Sequence, residues 1–152
     1  MSNISNIYPI WWDTSITVYN KYEDTQTDVV TWQRNVISNA FWKDTGAKLT
    51  VGDTTIDTNS IICRIRKDSR FLTKSEWMAL PNDRRQNYFT LSPGDILVKG
   101  EVTDIVDEYT SGSRSSDLIQ KYKALDGCME IQKASINAGI GRGSEHYYVI
   151  GE

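Results

Sequence analysis

The side chains able to do nucleophilic, acid–base or metal chemistry are few and far apart in the chain. There is one histidine, His146, and there are two cysteines, Cys63 and Cys128. A Ser–His or Cys–His catalytic pair would have to use His146, and one chain with this supply builds no usual His/Cys zinc site. Both cysteines lie in apolar, strand-like segments, so we expect them to be reduced and buried, with a disulfide between them as the alternative. We expect no metal or cofactor.

Carboxylates are the remaining candidates for catalysis. One acidic run contains Asp95, Glu101, Asp104, Asp107 and Glu108. Glycosidases use paired carboxylates, but acids along a polar strand and turn are usually exposed to solvent, and we expect that of these five. We expect His146 to form local hydrogen bonds at a strand end. The sequence therefore predicts a protein that is not an enzyme, and a small carboxylate hydrolase is an alternative.

A tryptophan pair near the start of the chain is a candidate contact surface. Trp11 and Trp12 follow an apolar stretch at residues 8–10 and precede the first clear strand. They either pack on the chain's own barrel or belong to an arm, residues 1–14, that docks on a neighbouring subunit, because Trp and Tyr are enriched at interface centres. A carbohydrate-binding platform is a third interpretation.

Basic residues form a second candidate surface. Arg64 and Arg66 alternate along one strand, and Arg84 and Arg85 follow in a later polar segment. They form either a solvated face paired with local acids or a patch that meets an acidic partner or a phosphate backbone. The chain has 17 Lys and Arg against 20 Asp and Glu, a formal charge of −3. That balance argues against tight, independent DNA binding.

The composition indicates a single folded domain. A chain of 152 residues with 39% hydrophobic and 11% aromatic residues can bury a real core and is not typical of disordered proteins. No apolar run approaches the roughly 18–20 residues that cross a membrane, and residues 1–9 lack the regions of a signal peptide. We therefore expect a soluble, intracellularly made protein, one β-rich domain over residues 1–152 with no membrane partner.

Short β-branched segments, several of them alternating, predict most of the structure. Strands are expected at residues 15–22, 29–41, 48–51, 54–57, 60–66, 95–102, 128–136 and 147–150. The first two form a hairpin with a bulge near residues 34–35, and Gly52–Asp53 forms the turn of a second hairpin. Short strands of this kind favour a small antiparallel β-barrel or sandwich with long loops.

One or two short helices interrupt the strands. Thr73 and Glu76 form a capping box, and Pro81 ends the helix that follows. A second helix begins near Ser115 and ends before Gly127. The first helix lies within a long connection, residues 67–94, and a connection of that length usually has a function or its own structure.

Four blocks of the sequence carry a family resemblance. They are residues 16–22 (ITVYNKY), 30–37 (VTWQRNVI), 89–100 (FTLSPGDILVKG) and 146–149 (HYYV). Together they resemble small minor capsid proteins that tailed bacteriophages of Gram-positive hosts encode among their head–tail joining genes. The blocks span nearly the whole chain, and residues 93–100 are the most specific of them.

This resemblance implies a structural role in the neck of the virion. Proteins of this kind look like head-closure, or stopper, subunits, small β-barrels that form a ring beneath the portal and adaptor and present a surface to the tail. The resemblance implies assembly in the host bacterial cytoplasm and passing contact with DNA in the channel, with the loops at 43–60 and 67–92 as candidates to face it.

A ring requires each copy to meet its neighbours through two different surfaces. The candidate contacts are Trp11, Trp12, Arg64, Arg66, Arg84, Arg85 and Tyr148. Two other functions stay open beside head closure. One is a tail-completion or terminator subunit, and the other is a carbohydrate-binding module that uses Trp and Tyr.

Overall fold

Eight strands and three short helices make up the part of the chain described by a computed structural model, residues 11–44, 47–58, 60–125, 127–137 and 145–152. The strands are β1 (Thr14–Glu23), β2 (Val30–Asp44), β3 (Ala47–Val51), β4 (Thr54–Thr58), β5 (Ile61–Arg66), β6 (Ile96–Lys99), β7 (Cys128–Asn137) and β8 (His146–Gly151). The helices are α1 (Lys74–Met78), α2 (Asn82–Arg85) and α3 (Ser115–Lys123). The mainly β prediction is confirmed. Most of the expected N-terminal arm, residues 1–14, lies outside the described residues.

Six strands close into an antiparallel barrel in the order β1-β2-β5-β8-β7-β6, with β6 pairing back to β1. The predicted barrel is therefore confirmed over the alternative of a sandwich. The two other strands, β3 and β4, pair only with each other within the described residues, around a turn in which Gly52 has a φ of 63°. They are inserted between β2 and β5, which pair directly so that Asp44 lies opposite Ile61.

Apolar side chains form two clusters, one inside the barrel and one against the outside of its wall. The inner cluster fills the barrel and includes Ile16, Val18, Cys63 and Val149. The outer cluster, which includes Tyr19, lies where the segment after β6 and helix α3 cover β1, β6 and β7. Because β1 is covered on both sides, it buries consecutive residues rather than every second one.

The long connection between β5 and β6 is packed against the barrel. Its capping box is present, with the Thr73 hydroxyl accepting from the Glu76 backbone N–H and the Glu76 carboxylate accepting from the Thr73 backbone N–H. Trp77 and Phe89 are fully buried, and the ring of Phe71 stacks on that of Tyr147 with 4.2 Å between centroids. The connection is therefore structured, as its length suggested.

Three local features differ from the prediction. The bulge in β2 lies at residues 38–39 rather than 34–35, because Asn39 adopts a φ of 62° and the register shifts there. Strand β6 ends at Lys99, where Gly100 takes a φ of 97°. Helix α2 was missed because Pro81 in the sequence predicts only a helix stop, whereas it occupies the N-cap position of a new helical turn.

Candidate assembly interface

The outer surface of β5 and β8 carries basic and aromatic side chains in a row. Cys63 and Ile65 point into the barrel, so Arg64 and Arg66 point outward. The register pairs Arg64 with Tyr148 and Arg66 with His146. Because directly opposed residues on one face of a sheet touch, this pairing joins predicted contact residues that are about 80 positions apart in the sequence.

Arg64 links the two strands through two side-chain contacts. Its guanidinium carbon lies 4.6 Å from the centroid of the Tyr148 ring, within the range of a cation–π interaction. Its Nη1 lies 2.8 Å from Nε2 of His146, and since a guanidinium can only donate, Nε2 accepts. Arg64 and Tyr148 are therefore held in place before a partner binds, which reduces the conformational entropy lost on association.

Two exposed lysines extend this surface onto the neighbouring strands. On β2, Phe41 pairs with Arg64, so Lys43, two residues further on, shares its face. On β7, Lys133 pairs with Ile150. The outward positions 41, 43, 62, 64, 66, 133, 135, 146, 148 and 150 hold no carboxylate, and the nearby acids along these strands include Glu130 and Glu145, the second of which is paired with Lys67. We call the set Lys43, Arg64, Arg66, Lys133 and Tyr148 the basic face.

The two N-terminal tryptophans have different environments. Trp11 is 63% exposed, whereas Trp12 is 7% exposed. The Trp12 ring stacks on Phe41, 6.3 Å between centroids, and meets His146 edge-on at 5.2 Å. The expectation of Trp12 as an exposed contact is therefore corrected, and a carbohydrate platform made by both rings is not formed. Trp11 is left at the margin of the basic face.

Arg84 and Arg85 also differ in their exposure to solvent. Arg84 is exposed on α2, but Arg85 is 3% exposed. Its Nε donates to the Trp77 carbonyl at 3.2 Å, Nη2 donates to the Leu80 carbonyl, and its Cζ lies 3.7 Å from the Tyr22 ring centroid. Neutral acceptors and aromatic faces stabilise this buried cation. Arg85 therefore secures the end of α1, which corrects its prediction as a surface contact.

A second surface lies across the barrel. The strand order places β1 and β6 opposite β5 and β8, and residues 101–113 cover that side. The Tyr19 hydroxyl donates to the Asp104 carbonyl at 2.7 Å, and Arg34 Nη1 donates to the Val102 carbonyl at 2.9 Å. This segment, which we call the acidic loop, has no Lys or Arg and carries Glu101, Asp104, Asp107 and Glu108.

Three of these acids, Asp104, Asp107 and Glu108, accept hydrogen bonds that favour the ionised form. The Asp104 carboxylate accepts from Lys121 Nζ at 2.9 Å and from the Tyr122 hydroxyl, and these bonds lower its pKa. The Asp107 carboxylate accepts from the Tyr109 backbone N–H at 2.9 Å, which lowers its pKa too. The acidic loop therefore presents ionised carboxylates, one of which, Asp104, forms an ion pair with Lys121.

Large apolar side chains project from the same loop. Ile105 is 81% exposed and Tyr109 is 64% exposed, although the Tyr109 hydroxyl accepts a hydrogen bond from the Val30 backbone N–H at 3.0 Å. Sequence reasoning missed both residues because the acids around them favoured a solvated turn. The signal available in the sequence is the apolar pair Ile105–Val106 within a polar run, because a strand or turn that buries one of them exposes the other.

Asp95 does not belong with the exposed acids, and that expectation is wrong for it. It is 1% exposed. Its Oδ1 accepts from the Lys21 backbone N–H at 2.9 Å, and its Oδ2 accepts from Asn20 Nδ2 at 3.0 Å and the Ser92 backbone N–H at 3.1 Å. Burial raises the pKa of this carboxyl above its usual value. Asp95 therefore fastens the turn before β6 to strand β1.

The cysteines and the possible metal ligands do not form a common site in the part of the chain that the structure describes. Cys63 lies in the inner cluster and Cys128 in the outer one, and both are reduced and buried, as predicted. Within the described residues, no group of three or more His, Cys, Asp or Glu side chains could hold a metal ion. In the same part of the chain, no helix has the length and apolar character needed to span a membrane.

Comparison with known protein families assigns the chain. Residues 11–152 match the model of a family described as a family of unknown function, DUF6751. The chain belongs to this family. The match contains every described residue, so the barrel, the basic face and the acidic loop all lie within it. No curated protein and no solved structure matches the chain.

Proposed function

We propose that the chain is a structural subunit of the neck of a tailed bacteriophage, of the head-closure type, which forms a ring under the portal or adaptor and joins it to the tail. The four sequence blocks that resemble minor capsid proteins support this. The observation that carries it is a barrel with chemically different surfaces on opposite sides. A ring subunit needs such a pair, because it meets its two neighbours through different surfaces.

The closed barrel limits how copies can associate. Each of its six strands pairs with two neighbouring strands, so no strand of the barrel has one side wholly free for another copy to extend. We therefore assign the contacts between copies to side chains on the outside of the barrel. The basic face and the acidic loop are the surfaces with the charge and exposed aromatic groups for that purpose.

The β3–β4 hairpin is the better candidate to face the DNA channel. The other candidate, residues 67–92, packs on the barrel with Trp77 and Phe89 fully buried. The hairpin, residues 47–58, carries one Lys and two Asp, a net charge of −1. A slightly negative surface can border DNA without the phosphate attraction that would hold it.

Locating the protein in the virion tests this function. Immunogold labelling and particle reconstruction should place it at the head–tail junction, and absence from purified virions would refute the proposal. Loss of the gene should give filled heads that leak DNA beside complete, unattached tails. Tails of irregular length would instead identify a terminator subunit.

The hairpin can be tested separately. Replacing residues 47–58 by a two-residue turn leaves the pairing of Asp44 with Ile61 available. The ring should still form, but heads should lose DNA before tails join. Retention of DNA would contradict the channel assignment of the hairpin and leave the placement in the neck intact.

A further inference from the structure

We infer that neighbouring copies bind head to tail, with the basic face of one copy seated on the acidic loop of the next. This inference rests on the proposed function and specifies its subunit contact. The occupant of the basic face is thus a second copy of this chain.

Charge complementarity is the first argument. The basic face carries four cationic side chains and no outward carboxylate, and the acidic loop carries four carboxylates and no Lys or Arg. Three of those carboxylates, Asp104, Asp107 and Glu108, have lowered pKa values, so their charge persists at neutral pH. Matched potentials steer two copies together and fix their relative orientation.

Exposed apolar groups provide a centre for the contact. Ile105 and Tyr109 project from the acidic loop, and Trp11 and Tyr148 lie at or beside the basic face. Interfaces typically bury aromatic residues at the centre and keep charged groups at the rim. The loop is fastened to the barrel by the hydrogen bonds from Tyr19 and Arg34, and Arg64 with Tyr148 is fixed on the other side, so both surfaces are preformed.

The same charges oppose a symmetric dimer built from either surface. Two basic faces brought together would oppose like charges, as would two acidic loops, and such juxtapositions disfavour the contact. Because the two surfaces lie across the barrel from each other, head-to-tail contacts do not close after two copies, and they form a ring when the rotation between neighbouring copies closes.

Photo-cross-linking tests the contact directly. A benzoylphenylalanine at position 105 of the full chain should cross-link, in virions and in the concentrated purified protein, to peptides containing residues 41–43, 62–66, 133–135 or 146–150 of another copy. The same probe at position 84 should not. Cross-links from position 105 to another acidic loop, or only to a different virion protein, would overturn the inference.

Charge reversal gives an independent test of complementarity. The variant K43E/K133E and the variant E101K/I105K each place like charges across the contact, and each should weaken self-association by at least about tenfold in sedimentation experiments. The combined four-site variant restores opposite charges and should recover association. Failure of the combined variant to recover, with a folded barrel by circular dichroism, would refute the contact.

Matched controls separate this inference from the proposed function. The variant R84E makes the same change in net charge as K43E or K133E alone, at an exposed position on α2, and it should associate like the original chain. If the protein self-associates by the expected contact but is absent from virions, the proposed neck function is refuted and the contact stands. If the protein is present in the neck and the charge-reversal variants still form rings, the contact is refuted and the neck function stands.

Discussion

Replacing Asp95 with Asn tests whether a buried carboxylate fastens β6 to β1. Its Oδ1 accepts one hydrogen bond, from the Lys21 backbone, and its Oδ2 accepts two, from Asn20 and Ser92. Asn has one oxygen and one NH₂ group in place of two oxygens. The NH₂ group must therefore lie against an N–H group that donated to the carboxylate, and the two donors cannot form a hydrogen bond. The amide should point its NH₂ towards Lys21, because that orientation loses one hydrogen bond rather than two.

The expected loss follows from these contacts. A hydrogen bond to a charged group contributes about 1.5–3 kcal/mol, and an unsatisfied buried donor costs about 1–3 kcal/mol. Removing a carboxylate that is 1% exposed recovers part of its desolvation cost. We expect the free energy of unfolding to fall by about 2 kcal/mol, which lowers Tm by about 4–8 °C for a chain of this size.

The difference in the free energy of unfolding between the original chain and Asp95→Asn should depend on pH. Because burial raises the pKa of Asp95, the folded state binds its proton more tightly than the unfolded state does. That contribution to stability is present below the unfolded pKa and is lost as pH rises through the folded pKa. The original chain should therefore gain stability relative to Asp95→Asn as pH falls from about 7 to about 4. Carboxyls with lowered pKa values, such as Asp104, occur in both proteins and cancel.

Urea unfolding followed by tryptophan fluorescence measures both effects. Asp83→Asn is the matched control, because Asp83 is exposed on α2 and should change stability by no more than about 0.5 kcal/mol. If Asp95→Asn were as stable as the original chain at both pH values, the carboxylate would not hold the turn and the reasoning would be refuted.

Three further predictions concern the core. Arg85→Lys loses the planar fork between carbonyls and rings and should destabilise by about 2–3 kcal/mol in urea unfolding, and a loss as small as that of Arg84→Lys would contradict the role of Arg85. Gly151→Ala would place a Cβ 2.3 Å from the Glu130 carbonyl oxygen. It should destabilise by about 1–3 kcal/mol, measured as Tm, and an unchanged Tm would show that the strands can separate freely. Burial raises the pKa of the Cys63 thiol, and it raises that of Cys128 to about 11. Neither should react with a thiol reagent at neutral pH until urea unfolds the chain, and rapid labelling of the native protein would contradict this.

Local patterns predicted the features that depend on neighbouring residues. The alternation of Ile61, Cys63 and Ile65 identified β5 and its inward face, and the capping box at Thr73 identified the start of α1. Both follow from backbone geometry over a few residues. The candidate interface could be predicted only in part, because its residues come from strands whose order and register are set by tertiary packing.

Adjacent residues of one type show where the prediction fails. Trp11 and Trp12 have the same chemistry, as do Arg84 and Arg85, yet one of each pair is exposed and the other buried. The difference depends on which surface of a distant strand or helix lies beneath each side chain. No property of the pair in the sequence decides this.

The most specific block of the resemblance, residues 93–100, now has a structural explanation. Gly94 and Gly100 adopt φ values of 94° and 97°, which glycine allows without strain. Asp95 fastens the turn, and Ile96, Leu97 and Val98 are buried in the two clusters. The block therefore specifies the entry to and exit from a central strand of the barrel.

The pairing of Asp44 with Ile61 has a consequence for how such a ring can vary. The two ends of the β3–β4 insertion already meet in the barrel wall, so the wall is complete whatever the insertion's length. Doubling a flexible loop adds only about 0.6 kcal/mol of closure entropy. In a ring whose hairpins face the channel, the number of residues between Asp44 and Ile61 would set the width of the opening. That width could then change without any change in the contacts between subunits.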